Sequence, residues 1–195
     1  MRKVLVSLKP YYYYLVGEGI KTIEVRKDMP KANDWNKEVF FYMSKDIKSF
    51  AEIPEEFQEK YRKYRKHFGK VGMRFVCDNI EKLEEHIEEG GLYYTLNSDF
   101  NEATQLDNWQ LHDYGKGKPL YGWHISDLKI YDKPKALEEF SRFGYIERGC
   151  ACANSSCKYH HDNGYYEPPH CKLHGSGNCS LERAPQSWGY VKEEL

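Results

Sequence analysis

GEGIKTIEVRK, Gly17 to Lys27, marks the passage from a helix into a strand. Upstream, KVLVSLK (Lys3–Lys9) alternates apolar and polar residues as a strand does, with Val4, Val6 and Leu8 on one face. Pro10 suits the first position of a helix, and Tyr11–Val16 is long enough for a short one. Gly17 or Gly19 can adopt the left-handed conformation that ends it. The stretch Thr22–Lys27 then reads as a second strand. Ile23 and Val25 point to the core, while Thr22, Glu24 and Arg26 share the opposite face. Residues two apart on a strand are separated by roughly 6.5–7 Å, so Glu24 and Arg26 can project into one cleft. Lys21 enters from the turn, and Lys9 can add a cation from the neighbouring segment. Arginine offers a planar fork for phosphate or a base edge, and lysine offers a point charge. The carboxylate can accept from a base amino group or hold the arginine. The same spacing also fits a solvated strand face with a local ion pair.

Further along, MPKANDWNKE reads as a loop and VFFYMS (Val39–Ser44) as a third strand. The sequence predicts a helix over Pro54–Lys70, with Pro54 at its first position and Glu55, Glu56 and Glu59 near its N-terminal end. Its second half, KYRKYRKHFGK, interleaves Lys60, Arg62, Lys63, Arg65, Lys66 and Lys70 with Tyr61, Tyr64 and Phe68. The aromatics fall on one helical face, and the cations are either solvated or a strip for phosphates. VGMRFVCDNIE is strand-like, and its tail can continue as a helix through IEKLEEHIEE to Gly90. The stretch Leu92–Asp107 lacks a clear period. A short helix is expected near Asn108–Tyr114, before the GKGKP turn. LYGWHISDLKIY (Leu120–Tyr131) is the longest strand signal, and its change of phase predicts a bulge near Ser126–Asp127. Pro134 begins a turn or short helix. Strands separated by helices and irregular connections point to an α+β domain built on a small mixed sheet or barrel.

The 195-residue chain carries a net charge of −1, so no global basic field announces a nucleic-acid binder. Its longest apolar runs are too short to span a membrane or serve as a signal peptide, and a cytoplasmic location is expected. Reduced thiols then need a role other than disulfides. Cys77 lies in an apolar strand and receives no function. The other five cysteines crowd into CACANSSCKYHHDNGYYEPPHCKLHGSGNC, with His160, His161, His170 and His174. A segment almost devoid of aliphatic residues needs another staple, and structural zinc with four protein ligands supplies one. The preferred ligand set is Cys152, Cys157, Cys171 and Cys179, with Cys150 or a histidine as substitute. The expected organisation is therefore a domain over residues 1–143, with a helical insertion at about 54–70. A Cys/His-rich extension over 144–195 packs against it.

Gly19, Lys21, Glu24 and Arg26 fit the G-x-K-x-x-E-x-R signature, and the chain resembles the ASCH family, whose members are PUA-like β-barrels linked to RNA. SLKP (Ser7–Pro10) resembles the start of that fold. YGWHISDLKIYDKP (Tyr121–Pro134) and APQSWGYV (Ala184–Val191) resemble the late strand and the ending of phage- and Firmicutes-type members. The resemblance implies a mixed barrel with a cleft for RNA or a nucleotide-like ligand. Lys9, Gly19, Lys21, Glu24, Arg26 and His124 are its candidate binding residues. Tyr11, Tyr12 and Trp123 are candidate stacking residues or core residues. One branch of the family resembles amidohydrolases that act on acylated cytidine through a lysine, a threonine and a glutamate. Here Glu24 occupies that threonine's position and Thr22 lies two residues early, leaving Lys21, Glu24 and Thr22 as the catalytic candidates. A ribonuclease using Lys21, Glu24 and His124 is a further expectation, as is a phage-encoded protein-interaction module.

Overall fold

A computed structural model of the chain describes residues 2–31, 35–51, 53–88, 91–95, 98–142, 181 and 183–193. Strand β1 (Arg2–Leu8) leads into helix α1 (Pro10–Gly17), strand β2 (Ile23–Arg26) and strand β3 (Trp35–Met43). Two short helices follow, α2 (Ile47–Ala51) and α3 (Glu55–Tyr61), and a 3-10 helix covers Arg62–His67. Next come strands β4 (Val71–Val76), β5 (Ile80–Lys82), β6 (Glu84–Glu88) and β7 (Gly91–Thr95), and helices α4 (Ser98–Thr104) and α5 (Asn108–Gly115). Strands β8 (Tyr121–His124), β9 (Ser126–Lys135), β10 (Phe140–Arg142) and β11 (Trp188–Glu193), with a 3-10 turn at Leu137–Glu139, complete the described elements.

Six strands form one sheet in the order β10-β11-β1-β3-β4-β9, with β1 and β3 parallel. Both faces of this sheet are covered. Val4, Val6, Val39, Phe41, Met73 and Phe75 meet the aromatic residues of α1 and of the 54–68 segment on one side. Leu5, Phe40 and Val71 pack with Leu137, Phe140 and Leu181 on the other. Alternation along β1 and β3 thus feeds two cores, and the register shift between Val71 and Met73 lets β4 serve both. A second sheet, β2-β8-β5, stands apart. Its outer face, with Ile23, Val25 and Leu120, packs on Phe100 of α4 and Leu111 of α5.

The fold is α+β as expected, but the described strands do not close into a barrel. The continuous strand expected over Leu120–Tyr131 is divided at Ile125, and its two halves join different sheets. Asp127 sits at φ 44°, beside a register shift between β4 and β9. The expected bulge is therefore the place where the chain changes sheets.

The helix drawn through IEKLEEHIEE is also corrected. That stretch is β5 and β6, and β6 pairs antiparallel with β7 from Glu84↔Thr95 to Glu88↔Gly91. Leu83 is buried in the outer core, while Ile80 packs against the main one. Their spacing of three imitates a helix, but the two residues serve different layers, and pairing partners override local propensity. The predicted long helix at 54–70 is split between α3 and the 3-10 turn, with Pro54 preceding the first helical residue. Its aromatics do face inward: Tyr61 and Tyr64 are buried and Phe68 packs against the same core.

Within that core the Tyr13 hydroxyl lies 2.8 Å from His67 Nδ1. His67 is fully buried, and burial, helped by the nearby Lys66, lowers its pKa to about 4. Gly72 leaves room for this pair, since a β-carbon there would run into the His67 ring and the Tyr13 hydroxyl.

The far end of the chain belongs to the main sheet. β11 lies between β10 and β1, and the Leu181 amide donates to the Phe140 carbonyl at 2.7 Å. A boundary at residue 144 therefore does not separate residues 188–193 from the body. The cysteines and histidines expected to hold zinc lie outside the described residues. Among the described residues, no helix is long and apolar enough to cross a membrane.

Candidate functional site

The turn after α1 delivers Lys21. The Gly19 amide bonds Val16 O at 3.0 Å and the Ile20 amide bonds Leu15 O at 2.9 Å, which is the Schellman pattern of helix termination. It requires the left-handed φ of +71° that Gly19 adopts. The Lys21 amide also bonds Leu15 O, at 3.0 Å, so the backbone at Lys21 is fixed to the helix end. Gly19 itself is exposed, and its contribution is conformational.

β2 then places Glu24 opposite Trp123 and Arg26 opposite Tyr121, on the inner face of the small sheet. Lys21, Glu24 and Arg26 are 2%, 6% and 6% exposed, which removes the reading of a solvated strand face. Glu24 holds both cations, Lys21 Nζ at 3.4 Å and an Arg26 terminal nitrogen at 2.8 Å. Lys21 Nζ also donates to Thr104 O at 2.6 Å and lies 5.6 Å from the Tyr12 ring centre. Arg26 donates to Ser7 O at 2.8 Å, linking the small sheet to β1. Among the described residues its buried Nε has no hydrogen-bond partner. Burial pushes the Lys21 pKa down, Glu24 pulls it partly back, and Arg26 lowers it further.

These three side chains line a cleft of about 400 Å³ between β1, β2 and α5. Lys9 and Tyr12 contribute from the start of α1, and Gln110, Asp113 and Tyr114 from α5. A neighbouring cavity of about 450 Å³ shares Arg26, Tyr114 and Gln186 with it, and adds Lys27 and Trp188. Arg26 thus stands where the two meet. The volume suits a nucleotide-sized molecule. The mixture of three cations, two carboxylates (Glu24 and Asp113) and two tyrosine rings suits a ligand with anionic, hydrogen-bond-donating and aromatic parts.

The α5 contribution was not anticipated. Its signal was present in NWQLHDYG, where Gln110, Asp113 and Tyr114 stand at i, i+3 and i+4 and so share a helical face. Asp107 caps that helix through a reciprocal pair with Gln110.

Other sequence candidates fall elsewhere. His124 pairs with Ile23 in register, on the face opposite Glu24, and bonds Glu81 at 2.8 Å. It does not line the cleft. Thr22 is exposed and is likewise absent from the cleft wall. Trp123 is wholly buried in the core, and of the two adjacent tyrosines Tyr12 is the one at the cleft.

Among solved structures, the chain is similar to the ASCH protein of Zymomonas mobilis. The crystal structure of that protein matches at 17% identity over 69% of this chain and 73% of that one, with a TM-score of 0.46. Structures of two single-substitution variants match at 16% and 17% identity, with TM-scores of 0.46 and 0.45. They cover 70% and 69% of this chain, and 77% and 74% of theirs. No family model matches the sequence, and no curated protein does.

Proposed function

We propose that the cleft binds RNA, or a nucleotide-like ligand, through a single nucleotide unit. The observation carrying this reading is the burial of Lys21, Glu24 and Arg26 in one cleft wall. Removing three charged groups from water is costly unless each is compensated, and among the described residues nothing accepts from the buried Arg26 Nε–H. A ligand acceptor supplies the missing partner. Tyr12 and Tyr114 flank the charges with aromatic surface on which a base can stack. The G-x-K-x-x-E-x-R resemblance supports the same ligand class.

The test is equilibrium binding of the four ribonucleoside monophosphates by calorimetry. Binding should weaken at least tenfold in Arg26→Gln, with an unchanged circular dichroism spectrum. Failure of all four to bind the wild-type protein would refute the reading. Turnover of acylated cytidine would instead favour a hydrolase, although the exposed Thr22 offers that reading no nucleophile at the cleft.

The Cys/His-rich segment is proposed to hold one structural zinc through Cys152, Cys157, Cys171 and Cys179. Native mass spectrometry should find one zinc per chain, released in acid. A metal-free chain with paired cysteines would overturn this assignment.

A further inference from the structure

We infer that Lys9, Lys45, Lys70 and Lys135 form a track for the phosphodiester backbone of a single-stranded RNA, one of whose nucleotides occupies the cleft. This rests on the cleft reading above and adds the class of ligand: a strand rather than a free nucleotide.

Strand register brings the four lysines to one end of the sheet. β1 and β3 run parallel and end together, with Leu8 beside Met43. The Ser44 amide donates to Leu8 O at 2.8 Å. Lys9 and Lys45 are the residues that follow these two positions. β4 runs the other way and begins at the same end, with Val71 opposite Tyr42 and the Met43 amide bonded to Lys70 O at 3.0 Å. β9 finishes there as well, with Lys135 opposite Val71. Four adjacent strands thus each present a lysine at one end of the sheet. At about 4.8 Å per strand the row spans about 14 Å. That length holds about four phosphates at the roughly 3.4 Å spacing of a stacked strand.

Lys9 is the point of continuity, since it also lines the cleft. Lys45 extends over Gly69, where an added β-carbon would lie 2.5 Å from its Cε. Lys9, Lys45 and Lys70 are exposed, and among the described residues no carboxylate lies within ion-pair distance of them. Lys135 Nζ stands 5.8 Å from the Tyr131 ring centre. The acids close to this row in sequence are Asp46, Asp132, Glu138 and Glu139, of which Asp46 accepts from the Ser49 amide and Glu139 from the Ala136 amide.

The conspicuous basic run at 60–70 is mostly committed. Arg62 pairs with Glu59 and Lys63 with Glu18, Lys66 donates to Asp132 O, and Arg65 lies over Phe50. Its contribution to the track is Lys70. Lysines, as point charges without a fork, suit backbone contact rather than base reading.

The test compares wild-type protein with the triple variant Lys45→Ala/Lys70→Ala/Lys135→Ala, none of whose sites lines the cleft. Probes are a fluorescent hexanucleotide RNA, its DNA counterpart, and a ribonucleoside monophosphate, titrated between 50 and 200 mM salt. The variant should bind the monophosphate as wild type does. Its log–log salt slope for hexanucleotide RNA should be shallower by about 2, at about 0.7 per phosphate. Across that fourfold salt range, wild type should lose roughly twentyfold more affinity than the variant. An unchanged slope, with monophosphate binding intact, overturns the track and leaves the cleft standing. Hexanucleotide binding that is insensitive to Arg26→Gln overturns the link between cleft and track. DNA bound as tightly as RNA by the wild type overturns the assignment to RNA.

Discussion

Glu24 is the common counter-ion of Lys21 and Arg26, so Glu24→Gln tests how the site is held together. The substitution keeps the shape and removes the charge. At an effective dielectric near 20, attractions across 3.4 Å and 2.8 Å are about 5 and about 6 kcal/mol. Relief of the cost of burying Glu24, several kcal/mol, offsets much of that sum. The expected net loss is about 3–5 kcal/mol, the range for breaking a buried pair from one side. Urea denaturation at pH 7 measures it. Lys21 adds a pH signature. Its pKa is lowered from 10.5, so between its folded value and 10.5 the unfolded chain binds more protons and stability rises with pH. Without Glu24 the lower end of this window moves to lower pH, and the loss shrinks as the solution becomes alkaline. The double variant Lys21→Met/Glu24→Gln should recover part of the loss, because one orphaned cation is gone. A loss below about 1 kcal/mol for Glu24→Gln would be that of an exposed pair, and would refute the buried arrangement.

Three further predictions follow from the core and the cleft helix. The depressed His67 pKa means that stability present above pH 6.5 is lost as pH falls towards about 4, by about 3 kcal/mol. The double variant Tyr13→Phe/His67→Phe should lose that slope in urea titrations at several pH values. Gly72→Ala should destabilise by about 1–3 kcal/mol through overpacking against His67 and Tyr13, read as a fall in thermal midpoint. Trp109 is 77% exposed, stacks on His112 and sits one turn before Asp113 on α5. Trp109→Ala should leave monophosphate binding unchanged yet weaken hexanucleotide binding by about 1–3 kcal/mol through loss of a second stacked base, as followed by fluorescence anisotropy.

Much of the site was legible because its logic is local. Pro10, the helix-ending glycine and the alternation of Ile23, Glu24, Val25 and Arg26 all act within a few residues, and periodicity reads such features directly. The sheet arrangement was not legible, because it depends on pairing between distant segments. Nothing local says that β8 and β9 part at Ile125, or that Ile80 and Leu83 serve different cores. His124 stands away from the cleft for the same reason. Its face is fixed by its partner Ile23, a hundred residues away in the chain. The α5 wall was missed because a polar helical stripe normally faces solvent, and only the neighbouring sheet turns this one into a cleft lining.

The position of β11 changes how the cysteine-rich stretch should be handled in experiments. Because Leu181 meets Phe140 and Arg142 meets Val191, the chain leaves and re-enters the sheet at nearly one spot. Residues 143–180 are thus an excursion rather than a terminus. Stopping translation at 143 would strip β11 from between β10 and β1 and bare the edge of β1, whereas excising the excursion and splicing in a few glycines keeps every described ladder. Only the second edit separates what the excursion does from what the scaffold needs.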